Sequence, residues 1–216
     1  MSFSNLRFVL VVALLVAGCG ASQDSVTTYV QQVRQSRLQR DMQMREEESV
    51  LPPARRNSFK GLQYFDVDST HRYVVPLHGT EQPDTVKMMQ STGGVQSQLK
   101  VGTVTIPLPD GREQFSVFRV AGDGTQELEE GALWLPFRDP TNGNRTYKAG
   151  RYVDIERPPD ADSLAGNSVQ VTVDFNRAYN PTCAYNPEFA CPIPPPENKS
   201  DAPIRAGEKT PLFSGR

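Results

Sequence analysis

A proline-rich stretch near the C-terminus restricts the fold more than any other part of the chain. Residues 174–198 read DFNRAYNPTCAYNPEFACPIPPPEN. Proline fixes the backbone φ angle and has no amide donor, so neither a helix nor a central strand can continue through this segment. The prolines concerned are Pro181, Pro187, Pro192, Pro194, Pro195 and Pro196. Loops of this length are functional or need to be fixed to the domain. We therefore expect a pinned loop over residues 176–198.

The start of the chain has the pattern of an export signal. Arg7 precedes an apolar run over residues 8–16, which is too short to cross a bilayer because a spanning helix needs about 20 residues. Leu15 to Cys19 resemble the lipobox of bacterial lipoproteins. The resemblance implies a signal peptide over residues 1–18, lipidation of Cys19 and a tether over residues 19–23. With Gly20 next, it also implies a place in the outer membrane, facing the periplasm or the cell surface. A plain secretory signal or an uncleaved helix is the alternative.

The chain has three cysteines, an odd number for an exported protein. With Cys19 assigned to a lipid, Cys183 and Cys191 are left, and we expect them to form a disulfide that closes the loop. A zinc site is one alternative, although zinc sites usually place paired ligands two to four residues apart. Two unbonded thiols are the other. The only histidines, His71 and His78, fall on one predicted strand at an odd offset and hence on opposite faces. We predict no metal and no cofactor.

Composition argues against nucleic-acid binding. The 216 residues include 23 basic and 25 acidic side chains, which gives a net charge of −2, and lysine and arginine form no block. The electrostatic footprint of a nucleic-acid-binding surface is therefore missing, as is a polybasic membrane patch. The 18 prolines and 16 glycines are typical of a loop-rich, mostly β protein.

One helix is predicted, over residues 24–50. Pro52 and Pro53 prevent its continuation, and residues 51–58 are predicted to be a linker. We expect this amphipathic helix to pack on the domain through its apolar stripe, and docking to a partner protein is the alternative. The stripe consists of Val26, Tyr29, Val30, Val33, Leu38 and Met42.

The rest of the chain, residues 59–216, alternates short strands with turn residues. Asp110 and Gly111, between two apolar runs, are the clearest hairpin signal. Short strands at this spacing, with no helices between them, predict a single antiparallel β barrel or sandwich-like domain. The predicted strands are Gln63–Val67, Arg72–His78, Thr85–Gln90, Gln96–Val101, Val104–Leu108, Gln114–Val120, Ala132–Arg138, Arg151–Glu156 and Val169–Phe175.

Two blocks of sequence resemble a known family. They are PFRDPTNG at residues 136–143 and DFNRAYNP at residues 174–181, and FKGLQYF at residues 59–65 fits the same family. Together they are similar to the bacterial "domain of unknown function 1684" family, which is often found on lipoproteins. The chain departs from the family pattern after Asn198, where Lys199 and Ser200 replace an arginine followed by a large apolar residue. The resemblance implies a fold but no biochemical activity.

Charged and aromatic residues near strand ends and turns are the candidates for a polar network or a ligand pocket. Buried charges persist only when they are paired and hydrogen-bonded. We expect Arg151 to pair with Asp139 or Asp174, and Arg177 to pair with Glu197. The candidates are Asp139, Tyr147, Arg151, Tyr152, Asp174, Asn176, Arg177, Tyr179, Asn180, Tyr185, Glu197, Asn198 and Glu208.

Three functions are compatible with the sequence. The first is an exported, membrane-anchored lipoprotein that serves as a binding or interaction module, with a small-ligand pocket under loop 176–198. Its partner is a small molecule or another envelope protein. The second is an exported hydrolase that uses Asp139 and Asp174 as acid and base, which fails if each of them is already paired with an arginine. The third is a structural envelope protein that uses the N-terminal helix to bind a partner.

Overall fold

The computed structural model describes residues 20–46, 48–119, 132–155 and 164–213. The predicted signal peptide and Cys19 lie outside the described residues. Among those that are described, no helix is both long and apolar enough to cross a membrane.

Six antiparallel strands form one sheet that curls into a half-barrel. Their order across the sheet is β5-β4-β3-β2-β1-β6. The prediction of a mainly β domain preceded by an N-terminal helix is confirmed. The strands are β1 (Arg72–Met89), β2 (Val95–Leu108), β3 (Gly111–Arg119), β4 (Leu133–Phe137), β5 (Arg151–Ile155) and β6 (Ser168–Asp174).

The predicted hairpin at Asp110 and Gly111 joins β2 to β3, with Leu108 paired to Gly111 across the turn. Four of the predicted strands are parts of two longer ones. Arg72–His78 and Thr85–Gln90, except for Gln90 itself, belong to the single strand β1, and Gln96–Val101 and Val104–Leu108 belong to β2. Register shifts interrupt both strands, between Gly79 and Asp84 in β1 and between Lys100 and Gly102 in β2. A β-bulge breaks the alternation of side chains, which is why the sequence pattern suggests separate strands.

Gly79 and Gly102 pair with each other across β1 and β2 at these irregularities. A Cβ atom on Gly79 would lie 1.6 Å from the carbonyl oxygen of Leu164, and the amide of Gly79 donates to the carbonyl of Asn167 at 2.8 Å. Glycine is therefore required here because another part of the backbone crosses directly over the strand.

The curled sheet is extended across its opening by the chain that follows β6. Its two edge strands, β5 and β6, contact each other. Beyond β6, Tyr179 pairs with Tyr152 of β5 through two backbone hydrogen bonds of 3.0 Å. The first residues of loop 176–198 thus supply the outer strand edge of β5 with a partner.

The sheet has apolar clusters on both faces. Leu133, Leu135 and Phe137 of β4 belong to the main core, whereas Trp134 between them packs in a second cluster with Tyr152 and others. All five residues of β4 are buried. A strand buried on both faces needs a covering layer on each, and loop 176–198 contributes Tyr179 to the second cluster.

The N-terminal helix, α1 (Gly20–Gln43), packs on the domain through only part of the predicted stripe, since Tyr29 and Val33 face the domain but the ends of the stripe do not. Leu38 and Met42 of the predicted stripe each keep 67% of their surface exposed, and Val26 is also exposed. The side chains that turn towards the domain are mostly polar, with Val33 fully buried among them. The helix also ends earlier than the predicted residue 50, and a short helix, α2 (Pro53–Arg56), occupies the predicted linker.

Two local predictions before β1 were wrong. Gln63–Val67 is not a strand, and Tyr64 forms only an isolated bridge with Glu208. His71 does not lie on β1, because it ends a 3-10 turn (Ser69–His71). The side chain of Asp68 caps that turn by accepting the Thr70 amide at 2.9 Å.

Candidate functional site

A cleft of about 530 Å³ lies between α1 and the end of the half-barrel at which β1 begins and β6 ends. We call it the α1 cleft. It includes the first residues of loop 176–198 but not the part that carries the cysteines, so its position differs from the predicted pocket under that loop. Its lining consists of Tyr29, Gln32, Ser36, Arg37, Arg40, Tyr64, Arg72, Asp154, Ile155, Thr172, Asp174, Asn176, Arg177, Ala178 and Tyr179.

Tyr29 of α1 is joined to the end of β6 by a compact hydrogen-bond network. Its hydroxyl lies 2.8 and 2.9 Å from the two oxygens of Asp174 and accepts from the Asn176 side chain at 3.0 Å. Burial and then the Asp174 carboxylate raise the pKa of Tyr29, so its phenol remains protonated at neutral pH. Asn176 also bonds both backbone groups of Asp68, at 2.9 and 2.7 Å.

Arg177 continues this network at the mouth of the cleft. Its Nε lies 3.4 Å from Asp174 Oδ2, and its Nη1 donates to Ser36 Oγ on α1 at 3.2 Å. The predicted pair of Arg177 with Glu197 was therefore wrong. Glu197 lies on the exposed side of a separate 3-10 turn (Pro196–Asn198).

Arg37 crosses the cleft from α1 and is fixed by backbone carbonyls. It donates to Phe65 O at 2.8 Å and to Asn176 O at 2.9 Å, and its guanidinium lies 4.4 Å above the Tyr64 ring. Burial lowers the pKa of Arg37. The Nε of Arg37 and the hydroxyl of Tyr64 are both buried without a hydrogen-bond partner.

Arg40 lies one turn further along α1, with its guanidinium 4.8 Å above the ring of Tyr179. The Tyr179 hydroxyl donates to Asp154 of β5 at 2.6 Å. Four arginines and two aspartates line the cleft, so its ionised side chains carry a formal charge of +2.

A second group of predicted residues forms a buried ion pair with its hydrogen-bond partners and does not line a pocket. Arg151 and Asp139 are both fully buried, and Arg151 Nη2 lies 3.3 Å from Asp139 Oδ1. Arg151 also donates to the carbonyls of Ile204, at 2.8 Å, and Ala206. Asp139 accepts the amide of Ile204 at 2.8 Å. The predicted Arg151–Asp139 pair is confirmed, and it ties the C-terminal segment to the sheet.

Glu208 lies behind the cleft wall and is completely buried. One of its oxygens accepts the Asn180 amide at 3.0 Å, while the other has no hydrogen-bond partner. Burial raises the pKa of Glu208 to about 7, although the charges of Arg40 and Arg151 and the bonds from Asn180 oppose the shift. Asn180 further donates to the Lys209 carbonyl at 2.8 Å.

Asn198 joins two strands that diverge. β3 and β4 pair only at their ends, and the Asn198 amide bridges them where they have separated. Its oxygen accepts the Ser116 amide at 2.7 Å, and its nitrogen donates to the carbonyls of Ser116 and Pro136 at 2.8 and 2.7 Å. The side chain thus replaces the missing strand-to-strand hydrogen bonds.

The remaining predicted residues lie in the loop and under it. The structure contains Cys183 and Cys191 as adjacent buried thiols, with the Cys183 amide 3.0 Å from Cys191 Sγ, and the disulfide stays a prediction. Tyr147 places its hydroxyl 3.9 Å from Cys183 Sγ. Tyr152 packs in the second apolar cluster and Tyr185 in a third one near α2.

The structure argues against the alternative function of a hydrolase with Asp139 and Asp174 as acid and base, because each of these carboxylates is paired with an arginine. Asp139 pairs with Arg151 in the core, and Asp174 pairs with Arg177 and Tyr29. Within the described ranges, no cluster of three or more histidine, cysteine or acidic side chains could hold a metal ion.

Sequence reasoning missed the half of the cleft that comes from α1 and from the segment before β1. Tyr29, Val33, Arg37, Arg40 and Met44 recur at helical spacing and form the inward face. This helical spacing could have indicated the inward face, but a search for a stripe of apolar residues does not count arginines. Tyr64 and Arg72 were also missed.

Comparisons with known proteins agree with the fold. A family model described as "Protein of unknown function (DUF1684)" matches residues 57–209. The chain is also similar to an uncharacterised protein of Haloarcula marismortui whose structure was solved by solution NMR. That protein is 34% identical, with a TM-score of 0.63 over 87% of this chain and 97% of the other. No curated protein matches the sequence.

Proposed function

The chain belongs to the family described as Protein of unknown function (DUF1684), and we propose that it is a lipid-anchored envelope protein. We further propose that it binds a small organic anion in the α1 cleft. The observation that carries the proposal is the formal charge of +2 on the cleft lining, which combines four guanidinium groups with three phenol rings.

The shape and the chemistry of the cleft support a small anionic ligand. Small-molecule sites commonly measure about 300–1,000 Å³ and combine apolar surface with a few fixed polar groups. Here the rings of Tyr64 and Tyr179 supply flat surface, and Arg37 and Arg40 lie above them. A guanidinium suits carboxylate and phosphate groups because its donors form a planar fork.

The anchor half of the proposal rests on the lipobox-like residues Leu15 to Cys19. Within the described residues, α1 extends back to Gly20. Several acyl chains on one cysteine give stable attachment, since each buried methylene contributes about 0.8 kcal/mol. A protein attached in this way would hold the α1 cleft close to the membrane surface.

Ligand binding is tested by thermal unfolding with inorganic phosphate, succinate and galacturonate, and with galactose as the uncharged control. A ligand at about ten times its dissociation constant stabilises the folded state by about 1.4 kcal/mol. For a chain of this size that raises Tm by roughly 3–6 °C. The proposal expects at least one anion to raise Tm and galactose to leave it unchanged.

Arg72→Gln and Arg112→Gln are matched variants for this assay. Both arginines are exposed on strands, but only Arg72 lines the cleft. Arg72→Gln should weaken anion affinity roughly fivefold to tenfold, since one of two net positive charges is lost within a few ångströms of the ligand. Arg112→Gln should change nothing. Equal affinities in the two variants would place binding elsewhere, and no shift with any of the anions would overturn the anion site.

The anchor is tested by labelling the expressing bacteria with a fatty-acid analogue. Wild-type protein and Cys183→Ser should both carry the label and sediment with membranes, whereas Cys19→Ala should lose both properties. Label on Cys19→Ala, or none on wild type, would contradict the anchor without affecting the binding proposal.

A further inference from the structure

The two cysteines of loop 176–198 lie next to each other and are buried, apart from the α1 cleft. Cys183 sits in a 3-10 turn (Thr182–Ala184), and its amide is 3.0 Å from Cys191 Sγ. Both side chains are buried, with less than a tenth of either residue's surface exposed. Neither cysteine lines the α1 cleft.

Each of the two sulfurs accepts a hydrogen bond. The Tyr147 hydroxyl donates to Cys183 Sγ over 3.9 Å, and the Cys183 amide donates to Cys191 Sγ at 3.0 Å. Hydrogen bonds from Cys191, Ser91 and Tyr147 lower the pKa of the Cys183 thiol to about 7, although burial opposes them. A thiolate is the nucleophile in thiol–disulfide exchange, so this environment activates Cys183.

The loop is held in place without a bond between the two sulfurs. The Ser91 amide donates to the Cys191 carbonyl at 2.9 Å, and the Ile193 amide donates to the Met89 carbonyl at 2.7 Å. The Tyr152 hydroxyl donates to the carbonyl of Pro192. These contacts fix Cys191 and the two residues that follow it, so the loop can keep its position whether the cysteines are reduced or oxidised.

Donors that favour a thiolate favour the reduced pair, because a disulfide sulfur is a weaker acceptor. Stabilising the reduced form makes a disulfide easier to reduce than a purely structural one. We propose that Cys183 and Cys191 form a redox-active dithiol–disulfide couple that exchanges with small-molecule disulfides.

The exchange has two balanced steps. The Cys183 thiolate attacks one sulfur of a disulfide RSSR, which forms the mixed disulfide of Cys183 and releases RS⁻. Cys191 then loses its proton to solvent and attacks the Cys183 sulfur, which forms the Cys183–Cys191 bond and releases a second RS⁻. The two released thiolates take up two protons, so two protein thiols are oxidised and one RSSR is reduced to two RSH. The burial of both sulfurs restricts the partner to small molecules.

The couple is tested on the full chain with Cys19→Ala, which leaves only these two thiols. The protein is equilibrated at pH 7 with mixtures of reduced and oxidised glutathione, quenched with acid and alkylated, and the products are weighed by mass spectrometry. The proposal expects the dithiol and the intramolecular disulfide to interconvert as the glutathione ratio changes. A pair that stays oxidised in reduced glutathione alone, or that yields only glutathione adducts, would overturn it.

Tyr147→Phe tests whether the Tyr147 hydrogen bond shifts the dithiol–disulfide equilibrium, or whether the two cysteines only lie close together. Losing one donor to the thiolate should shift the equilibrium constant at least about threefold towards the disulfide. Tyr73→Phe is the control, because Tyr73 packs on Phe175 and lies away from the cysteines. An unchanged constant in Tyr147→Phe contradicts the proposed tuning.

Alkylation rates show which of the two cysteines attacks the small-molecule disulfide first. With Cys191→Ser the remaining Cys183 should react with iodoacetamide with a midpoint near pH 7, since serine keeps a donor next to the sulfur. With Cys183→Ser the remaining Cys191 should react more slowly at pH 7. Equal rates in the two variants would overturn the assignment of Cys183 as the attacking thiol.

Discussion

The hydroxyl of Tyr29 on α1 donates to the Asp174 carboxylate at the end of β6, lying 2.8 and 2.9 Å from its two oxygens. These residues are 145 positions apart in the chain. Their contact attaches the helix to the half-barrel and closes one side of the α1 cleft. The strength of that attachment can be measured.

Tyr29→Phe should lower the free energy of unfolding by about 1.5–3 kcal/mol. The substitution removes a hydrogen bond to a charged, buried carboxylate, and it also removes the acceptor of the Asn176 amide. Urea unfolding followed by circular dichroism measures the change. Tyr73→Phe, which removes a hydroxyl without a comparable network, should cost less than about 0.5 kcal/mol. Equal losses in the two variants would show that the Asp174 bond contributes nothing.

Arg151→Met should lower the free energy of unfolding by about 3–5 kcal/mol. The variant leaves the Asp139 carboxylate buried without its charged partner and leaves the carbonyls of Ile204 and Ala206 without a donor. Arg138→Met, at an exposed neighbouring position, is the matched control and should have little effect. The measurement is again chemical unfolding, and a loss below about 1 kcal/mol would mean that the core adapts to the missing cation.

Asn198→Asp should be strongly destabilising even though the two side chains have the same shape. A carboxylate cannot donate to the carbonyls of Ser116 and Pro136, so β3 and β4 lose their bridge and a charge is buried. We expect a loss of about 2–4 kcal/mol in the free energy of unfolding. Asn144→Asp, on an exposed turn, is the control and should unfold like the wild type.

The buried carboxyl of Glu208 predicts that stability falls as pH rises through the acid range. The pKa of Glu208 is raised to about 7 in the folded chain, against 4.5 for an unperturbed carboxyl. Between these values the folded chain binds more protons than the unfolded chain. The stabilising contribution of Glu208 to the free energy of unfolding is therefore fully present below about pH 4.5 and is lost as pH rises to about 7. The loss from this one group is about 3 kcal/mol.

Glu208→Gln isolates that contribution. The variant keeps an acceptor for the Asn180 amide and cannot ionise, so the difference in unfolding free energy between the two proteins should change with pH between 4.5 and 7. Other groups that titrate in this range, such as His71, are present in both proteins and cancel. Urea unfolding at four pH values measures the difference, and parallel profiles would contradict the raised pKa.

Much of the β domain follows from local sequence. The turn residues Asp110 and Gly111 and the alternation in β6 depend on neighbours along the chain, which is why the strands were predictable within a few residues. The bulges at Gly79 and Gly102 were not predictable. Glycine is required at Gly79 because the distant Leu164 carbonyl lies against it, and at Gly102 because the His78 carbonyl of β1 approaches closely. The pairing of Arg151 with Asp139 was predictable because a charge that must be buried needs an opposite charge nearby.

The α1 cleft could not be predicted from the sequence. The apolar stripe of α1 was a correct guide at Tyr29 and Val33 but not beyond them, where Leu38 and Met42 are exposed and Arg37 and Arg40 turn inward. Periodicity reports how side chains are spaced on a helix, but not whether their partners in the folded domain are apolar side chains or backbone carbonyls and phenol rings. By itself the sequence determined a mainly β domain with one N-terminal helix and a proline-rich loop, because turns, strands and proline act over a few residues. Only the tertiary structure decided that Tyr29 meets Asp174, since that contact depends on packing between segments that are far apart in the chain.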